Sequence, residues 1–561
     1  MTKRLILLAA LILGVLLGIR ATTPPVPVGA DAPAEVFAAG RAMADVRMIA
    51  ARPHLAASPE DAAVRAHIVR RMQAMGMEVH ETLFTAPPAS ARRLAWWSGK
   101  DVAAPVLTNV IGVLPGKDRS LPAVLLMAHH DTVGGSPGAA DDTAGVSALL
   151  ETARAVRAAG QPARDLIVLI TDGEELGLDG AHHFFTADPL RAHVGAVINV
   201  EARGGGGRTT LFETSADNGA AIARAAGAIA RPGGSSLAVF IYKVLPNDTD
   251  LTETRGGPYT GYNFAFIGRP QLYHSPKATP DALDQGALQD MGAQVLDLTR
   301  ALLHAGPLPG KAADVVFFDV FGLFMVVYPA WAGWAMLAVA AGCLGLAARR
   351  GGGFGAGAAG AGRMLALIVL GGLVLWAVNQ LSLGSAKVNY YDRLAAIPRL
   401  EVMALSGGLA AFLLAMGAWK PKPAGLVGAA LPLFVLSAVM QALAPTAAYV
   451  VVLPVMLAAL ALAAGEGAGG RLAALLLGTP VIGYMIALGH QVMQGVGPNL
   501  PMAAVLPLAV TALAVLPLWE GFSARTARMS AAVLLVIAVG TALTVRLDPL
   551  ADTVPVYSAD K

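Results

Sequence analysis

The chain has 561 residues and a net charge of +3, with 14% charged and 55% apolar residues. A soluble protein of this size carries about 25% charge, so a wholly soluble chain is excluded, as are disorder and, with Cys343 the single cysteine, an intrachain disulfide scaffold. So small a net charge gives no ground for a nucleic-acid partner.

The charge is uneven. From Val315 onward 247 residues hold 21 Asp, Glu, Lys and Arg, and the first 314 hold 58. The first part reads as water-soluble and the second as lipid-embedded. At the start, Lys3 and Arg4 precede an apolar run from Leu5 to Ile19, closed by Arg20. The run has the length of a signal h-region and, with its flanks, just enough to cross a bilayer. Residues 1–21 are read as an uncleaved membrane anchor in preference to a signal peptide cut near Ala30-Asp31-Ala32. Lys3 and Arg4 then stay in the cytoplasm, and the soluble part beyond Arg20 is exported.

Residues 22–33, rich in Pro, Thr and Ala, read as a linker. Helical patterns come next over 34–50 and 60–77, where Val64, Ile68, Met72 and Met75 recur at helical spacing. Strands are expected at Val106–Leu114, Ala123–Ala128, Leu166–Thr171, Ala196–Val200, Thr209–Glu213, Leu237–Tyr242 and Asn263–Ile267. Helices are expected over 143–159, 220–230 and 282–303. Short apolar strands alternating with amphipathic helices predict an α/β fold, a central mixed sheet flanked by helices, over 34–305.

After a linker at 306–318, a multi-span α-helical membrane domain is expected over 319–546 and a short exported tail over 547–561. Eight apolar stretches lie near 320–347, 364–383, 401–419, 424–444, 446–464, 471–489, 500–519 and 529–545. Each matches a hydrocarbon core about 30 Å thick. With the soluble domain outside, cytoplasmic loops hold Arg349, Arg350, Arg363, Lys420, Lys422, Arg471, Arg525 and Arg528, against Lys387, Arg393 and Arg399 outside. That bias follows the positive-inside rule. The Gly/Ala-rich stretch 351–362 lacks the Lys-Ser/Thr of a phosphate loop and is read as a flexible cytoplasmic loop. Asn379, Gln380, Gln441 and Glu401 are the notable polar groups of the spans, most of them near predicted ends. No chain of ionisable groups crosses the membrane domain, as an ion pathway would require.

Chemistry concentrates after the predicted strands. His129-His-Asp131 is followed by Asp141-Asp142-Thr-Ala-Gly145. Glu174-Glu175 follows the strand at 166–171, Glu201 ends the one after it, and Tyr273-His274 comes late. In an open α/β sheet the carboxyl ends of strands line the ligand crevice. Adjacent Asp-Asp and Glu-Glu at the edge of an apolar core repel, and burial worsens the conflict. A divalent cation removes it. Histidines with carboxylates and no cysteine suit zinc or a similar first-row ion.

These segments resemble the M28 family of zinc aminopeptidases and carboxypeptidases. The likeness runs from Val106 to Leu303: His-x-Asp, then Asp-Asp-x-x-Gly ten residues on, then Glu-Glu, a single acidic ligand and a late Tyr-His. An N-terminal anchor, an exported M28 domain and eight further spans are similar to the endoplasmic-reticulum and vacuolar membrane branch. The Val200-Glu-Ala and Asp248-Thr-Asp250 segments resemble that branch too. The resemblance implies two zinc ions, one on His129, Asp141 and Glu201, the other on Asp141, Glu175 and His274, with Asp141 shared. It makes Glu174 the general base, Asp131 the residue that orients the His129 ring, and Tyr273 a hydrogen-bond donor to the tetrahedral intermediate. His130, His182, His183, His54, His67, His80, His193, His304 and His490 are read as background, with His54, His67, His80, His193 and His304 at the surface.

The expected protein is a membrane-anchored zinc exopeptidase, an aminopeptidase acting on peptides outside the cytoplasm. Carboxypeptidase or glutaminyl-cyclase-like activity on the same fold is the alternative within enzymes. A peptide-binding transporter or scaffold is the alternative outside them. Abundant Ala and Gly with sparse Lys point to a GC-rich bacterial genome. The expected location is then an inner membrane with a periplasmic catalytic domain, an endoplasmic reticulum or vacuole being the alternative.

Overall fold

The structure is a computed structural model that describes residues 2–548 except 101, 351–352 and 384–388. Lys387 and the tail from 549 onward lie outside the described residues. The chain divides into two compact units, one of residues 1–22 with 328–551 and one holding residues 23–327.

The first helix, α1 (Lys3–Thr22), belongs to the helical unit. The other unit begins with α2 (Ala39–Ile49), α3 (Pro59–Ala74), β1 (Glu78–Thr85), α4 (Pro88–Ser98), β2 (Val106–Leu114) and β3 (Ala123–His129). Next come α5 (Thr143–Ala158), β4 (Leu166–Thr171), α6 (Glu174–Gly177), α7 (Asp179–Ala187), β5 (Val194–Ala202) and β6 (Thr210–Thr214). It closes with α8 (Gly219–Ala228), α9 (Ser236–Val244), β7 (Thr260–Phe266), α10 (Gln285–Leu303) and β8 (Val315–Asp319). Seven strands form one mixed sheet in the order β1-β2-β4-β3-β5-β7-β6. The inner strands β4, β3, β5 and β7 run parallel, and antiparallel pairs close both edges.

The inner strands are nearly continuous apolar runs because both faces are covered. Val124, Leu126, Leu166, Val168, Ala196 and Ile198 enter one core with α2, α3, α5 and α10. Their alternates Leu125, Met127, Ile167, Leu169 and Val197 enter a second core with Phe184 and Phe185 of α7. Period-two alternation thus places one β-sheet between two helical layers. The chain leaves β3 toward β4 on one side and reaches β5 on the other. That reversal is where a doubly covered sheet opens a crevice at its strand ends.

The element readings need correction at several points. Leu237–Tyr242 is helical, within α9, where the Ser235 hydroxyl accepts the Ala238 N–H (3.1 Å) and caps it. The polar edge strand β1 and the helix α4 are absent from the expected elements. Neither has the continuous apolar run or the clean periodicity that marks the inner elements. The linker read at 306–318 and the first span read near 320–347 are both partly strand: β8 pairs with β9 (Met325–Pro329) and buries Phe317, and helix begins only at Ala332.

One buried ion cluster ties α2 to α3. Asp45 accepts from Arg71 Nε (2.8 Å) and Nη2 (3.1 Å) and pairs with His67 Nε2 (2.8 Å). Burial alone would raise the Asp45 pKa, but the bonds from His67 and Arg71 outweigh it and hold it below the usual carboxylate value. A depressed carboxylate stabilises the fold fully above its unfolded pKa of about 3.9 and loses that contribution as pH falls through the folded value. Asp45→Ala is expected to cost about 2 kcal/mol at neutral pH, the scale of hydrogen bonds to charged groups. Thermal melts of the variant and parent should converge as the pH drops below about 4. A gap that stays constant on acidification rules this account out.

In the helical unit α1 is followed by α11 (Ala332–Ala348), α12 (Phe354–Leu383), α13 (Tyr390–Ala395), α14 (Ile397–Met416) and α15 (Pro423–Leu443). Then come α16 (Tyr449–Ala464), α17 (Ala468–Gly495), α18 (Val505–Val515) and α19 (Ala524–Arg546). Among the described residues seven helices are long and apolar enough to cross a membrane, and α11 and α16 are shorter apolar helices. The described part of the Gly/Ala-rich stretch is not a loop: α12 starts at Phe354 and runs through it. Several polar groups expected to meet water are turned inward. Asn379 Oδ1 accepts from Arg393 Nη2 (2.7 Å), Gln441 Nε2 donates to the Ala330 carbonyl (2.8 Å), and Glu401 pairs with His490 Nδ1 (2.8 Å).

Candidate metal centre

Four strand ends and one loop deliver the polar residues to the same place. His129 is the last residue of β3, and Glu201 is the next to last of β5. Glu174 and Glu175 open α6 directly after β4, and His274 comes after a short turn at Pro270–Leu272 beyond β7. Asp141 stands in the loop before α5, and Asp142 caps that helix by accepting the Gly145 N–H (3.2 Å). The loop is drawn tight at Gly138. Its φ is +63°, and a Cβ there would stand 2.6 Å from the Asp141 carbonyl oxygen. Only glycine fits such a conformation and approach without strain.

Asp141 stands between two imidazoles. Its Oδ1 lies 3.3 Å from His129 Nε2 and its Oδ2 lies 3.1 Å from His274 Nε2. Around this axis His129 Nε2 is 3.9 Å from Glu201 Oε2, and His274 Nε2 is 3.3 Å from Glu175 Oε1. His129, Asp141 and Glu201 form one group able to hold an ion, and Asp141, Glu175 and His274 form another. Each group offers ligand atoms within 4.8 Å of one another. All five metal ligands expected from the sequence therefore converge, and they share Asp141. Glu174 Oε2 is 4.0 Å from His129 Nε2.

Asp131 does something the sequence did not disclose. Its carboxylate accepts the backbone N–H of Glu174 (3.1 Å) and of Glu175 (3.3 Å). His129 Nδ1 faces the Asp131 backbone carbonyl (3.0 Å) more closely than its carboxylate (3.5 Å). Asp131 thus positions the Glu-Glu turn with its side chain and the His129 ring with its main chain. Tyr273 stacks on His274 with ring centroids 3.7 Å apart, and the Arg203 guanidinium lies over the Tyr273 ring, 5.9 Å from its centroid.

Two further residues join the site. Thr171, the last residue of β4, donates its hydroxyl to Asp250 Oδ2 (2.5 Å). Asp250 is buried, which drives its pKa up to about 7 against the pull of that bond. Its sequence signal was only the Asp-Thr-Asp spacing. Two of the background histidines are not at the surface. His54 is 1% exposed, with its N–H on Thr132 Oγ1 (3.1 Å), and the His130 ring is enclosed beside Asp61.

The electrostatics are those of a site built for a cation. Burial pushes Glu174 and Glu201 well above the carboxylate range and Glu175 above it, and neighbouring carboxylates push the same way. Asp141 goes the other way. Burial is outweighed there by the imidazoles of His129 and His274 on either side, which hold it down to about 2. His129 Nε2, Glu175 Oε1 and Glu201 Oε1 are buried without a hydrogen-bond partner among the described residues. Buried polar atoms are normally paired, and mixed imidazole and carboxylate donors fit zinc. The residues present fit the metal.

Residues 109–299 match the family model described as Peptidase family M28. This unit carries an M28 peptidase domain. The M28 domain includes all the site residues just described except His54 and Asp61, which lie upstream. Mouse Endoplasmic reticulum metallopeptidase 1 (Mus musculus) is 32% identical over 235 residues, 40% of this chain and 26% of that protein. A Vacuolar membrane protease from Yarrowia lipolytica is 28% identical over 312 residues, 51% of this chain and 30% of its own. The chain thus spans between a quarter and a third of the length of these curated relatives. An aminopeptidase from Aneurinibacillus sp. strain AM-1, of known structure, aligns over 50% of this chain and 98% of its own at 15% identity, with a TM-score of 0.40.

Proposed function

We propose that this chain is a membrane-anchored zinc exopeptidase, an aminopeptidase, whose M28 domain acts on peptides outside the cytoplasm. The observation that carries the reading is the Asp141 carboxylate between His129 and His274, with Glu174 beside them. His129, Asp141 and Glu201 would hold one ion, and Asp141, Glu175 and His274 a second. Zinc bound there supplies Lewis-acid polarisation of the scissile carbonyl and acidifies water.

The chain's own residues do the rest. Glu174 Oε2 takes the proton of the attacking water and hands it to the leaving amine nitrogen. Asp131 fixes the Glu174 main chain, so the base is oriented before substrate arrives. The site carboxylates are largely enclosed, Glu174 being 13% and Glu175 9% exposed, so charge interactions there are stronger than in bulk water. Tyr273, locked by its stack on His274, is the hydrogen-bond donor to the developing oxyanion. The charge bias of the loops supports an extracytoplasmic M28 domain, in a bacterial inner membrane facing the periplasm. Residues 34–305 are assigned to the peptidase domain and 547–561 to the exported tail, with a linker at 22–33; β8 belongs to the unit that ends at residue 327, so the membrane domain is assigned to 328–546.

The test pairs metal content with turnover on the detergent-solubilised chain and a Glu174→Gln variant. About two zinc ions are expected in both proteins, with release from free N-termini reduced about 10²–10⁴-fold in the variant, the range for loss of a general base. Release that needs a free C-terminus instead would assign a carboxypeptidase. Equal rates in the two proteins would remove Glu174 from the role.

A further inference from the structure

We propose that Asp61 is a positioning residue for the turn that bears Glu174, acting through His130 and the Thr108–Asn109 segment of β2. The proposal rests on the reading of Glu174 as the general base. It concerns residues that the metal groups do not use.

The β2–β4 ladder ends at the pair Val110 and Ile170. Beyond it, among the described residues, no pairing between these two strands sets the register of Asp172 and the turn after it. Side chains take over. The Thr108 N–H donates to Asp172 Oδ2 (2.8 Å), and the Asp172 N–H donates to Asn109 Oδ1 (3.1 Å). Asn109 Nδ2 donates to the Gly180 carbonyl (2.8 Å). The segment 172–180, which contains Glu174 and Glu175, is therefore tied at both ends to two adjacent residues of β2.

His130 joins that anchor to α3. Its Nε2 lies 3.1 Å from the Thr108 carbonyl oxygen and its Nδ1 lies 2.7 Å from Asp61 Oδ1. Asp61 is wholly buried in the first turn of α3, with Ser58 capping that helix through the Asp61 N–H (3.1 Å). His130 also sits in the chain between His129 and Asp131, the residue that holds Glu174 and Glu175 by their N–H groups. His130 thus bonds one hold on the base through its ring and adjoins the other along the chain. Asp61 Oδ2 and Asp172 Oδ1 carry no hydrogen bond among the described residues, but each carboxylate is held through its other oxygen, and buried hydrogen bonds of this kind stiffen the elements they join. A displacement of about 1 Å in a reacting group can cost about 10²-fold in rate.

Asp61, His130 and Asp172 also present ligand atoms within 4.8 Å of one another. Two observations argue against a metal among them. Both His130 ring nitrogens already face oxygen acceptors, and Arg65 Nη1 stands 3.6 Å from Asp61 Oδ2.

The test compares Asp61→Ala and Asp61→Asn with the parent chain in detergent, using a chromogenic leucine anilide. Asp61→Ala is expected to lower kcat about tenfold or more, with KM and zinc per chain unchanged. Asp61→Asn keeps an oxygen acceptor for His130 and should recover most of the rate. Hydrogen exchange of the amides in 172–180 should quicken in Asp61→Ala and return in Asp61→Asn. A lower melting temperature with kcat per zinc-loaded chain and exchange unchanged would overturn the proposal, as would the loss of one metal ion per chain. If the parent itself has no turnover, the reading of Glu174 falls. Exchange at 172–180 then decides by itself whether Asp61 holds the turn.

Discussion

Asp141→Ala is expected to remove nearly all bound zinc and to bring peptide release to the background rate. Among the described residues Asp141 is the one carboxylate within 4.0 Å of both imidazoles, with a separate oxygen for each. Its pKa of about 2, set by those two partners against burial, keeps it ionised at every working pH. Removing it leaves each group one donor short, and loss of the ions leaves Glu174, Glu175 and Glu201 crowded without a counter-charge. Disturbing residues that merely orient a metal ligand typically costs about 10–100-fold in affinity, so losing a ligand common to both groups should cost more than about 100-fold. Zinc per chain after dialysis, with turnover on a free-N-terminus peptide, gives the answer. Asp142→Ala is the control. Asp142 caps α5 and should cost about 1 kcal/mol of stability while zinc per chain stays near the parent value. Two zinc ions retained in Asp141→Ala would sink the shared-ligand reading.

Gly360→Ala is expected to unseat α12 from α15. A Cβ at Gly360 would stand 1.9 Å from the Gly425 carbonyl oxygen, and one at Gly428 would stand 1.9 Å from that of Gly357. Both obstructions are backbone, so no rotamer relieves them and the helices must part. Overpacking a core costs about 1–3 kcal/mol when side chains can yield; here the cost should reach or exceed the top of that range. In lipid, small residues bring helices close enough for dispersion to hold them together. The matched control is Gly362→Ala, two residues along α12, where a Cβ meets nothing within 4 Å. Its melting temperature in detergent should match that of the parent, and Gly360→Ala should fall well below it. Equal melting of the two variants would mean that α12 and α15 do not meet as described.

The same glycines show where reading by composition fails. A Gly/Ala stretch beside three arginines has the local properties of a loop, since glycine costs about 1 kcal/mol per helical position. It forms a helix because close packing against α15 outweighs that cost. Leu237–Tyr242 failed for another reason. A short apolar run fits a buried strand as well as a helix, and the Ser235 cap decides it. β1 was hidden by its polarity, since an edge strand needs only alternate residues covered.

For the candidate site, the five proposed metal ligands and Glu174 could be picked out because each lies at or just after a recognisable strand, in segments that resemble the M28 pattern. Chemistry at strand ends leaves a local imprint: an apolar run, then acids or histidine. Asp61, Thr171 and the second function of Asp131 left none. Their roles depend on partners 69, 79 and 43 positions away, and no local pattern encodes such a pairing.

By itself the sequence determined the division into a soluble and an apolar half, the inner strands of the α/β sheet, and the chemical kind of the site. These come from composition, from periodicities of two and 3.6 residues, and from the mutual repulsion of adjacent carboxylates. Tertiary structure alone decided that Asp131 holds the amides of Glu174 and Glu175, that Asp61 is the partner of His130, and that Gly360 meets Gly425. Such contacts are set by how separate elements pack, and packing is a property of the whole fold rather than of any segment.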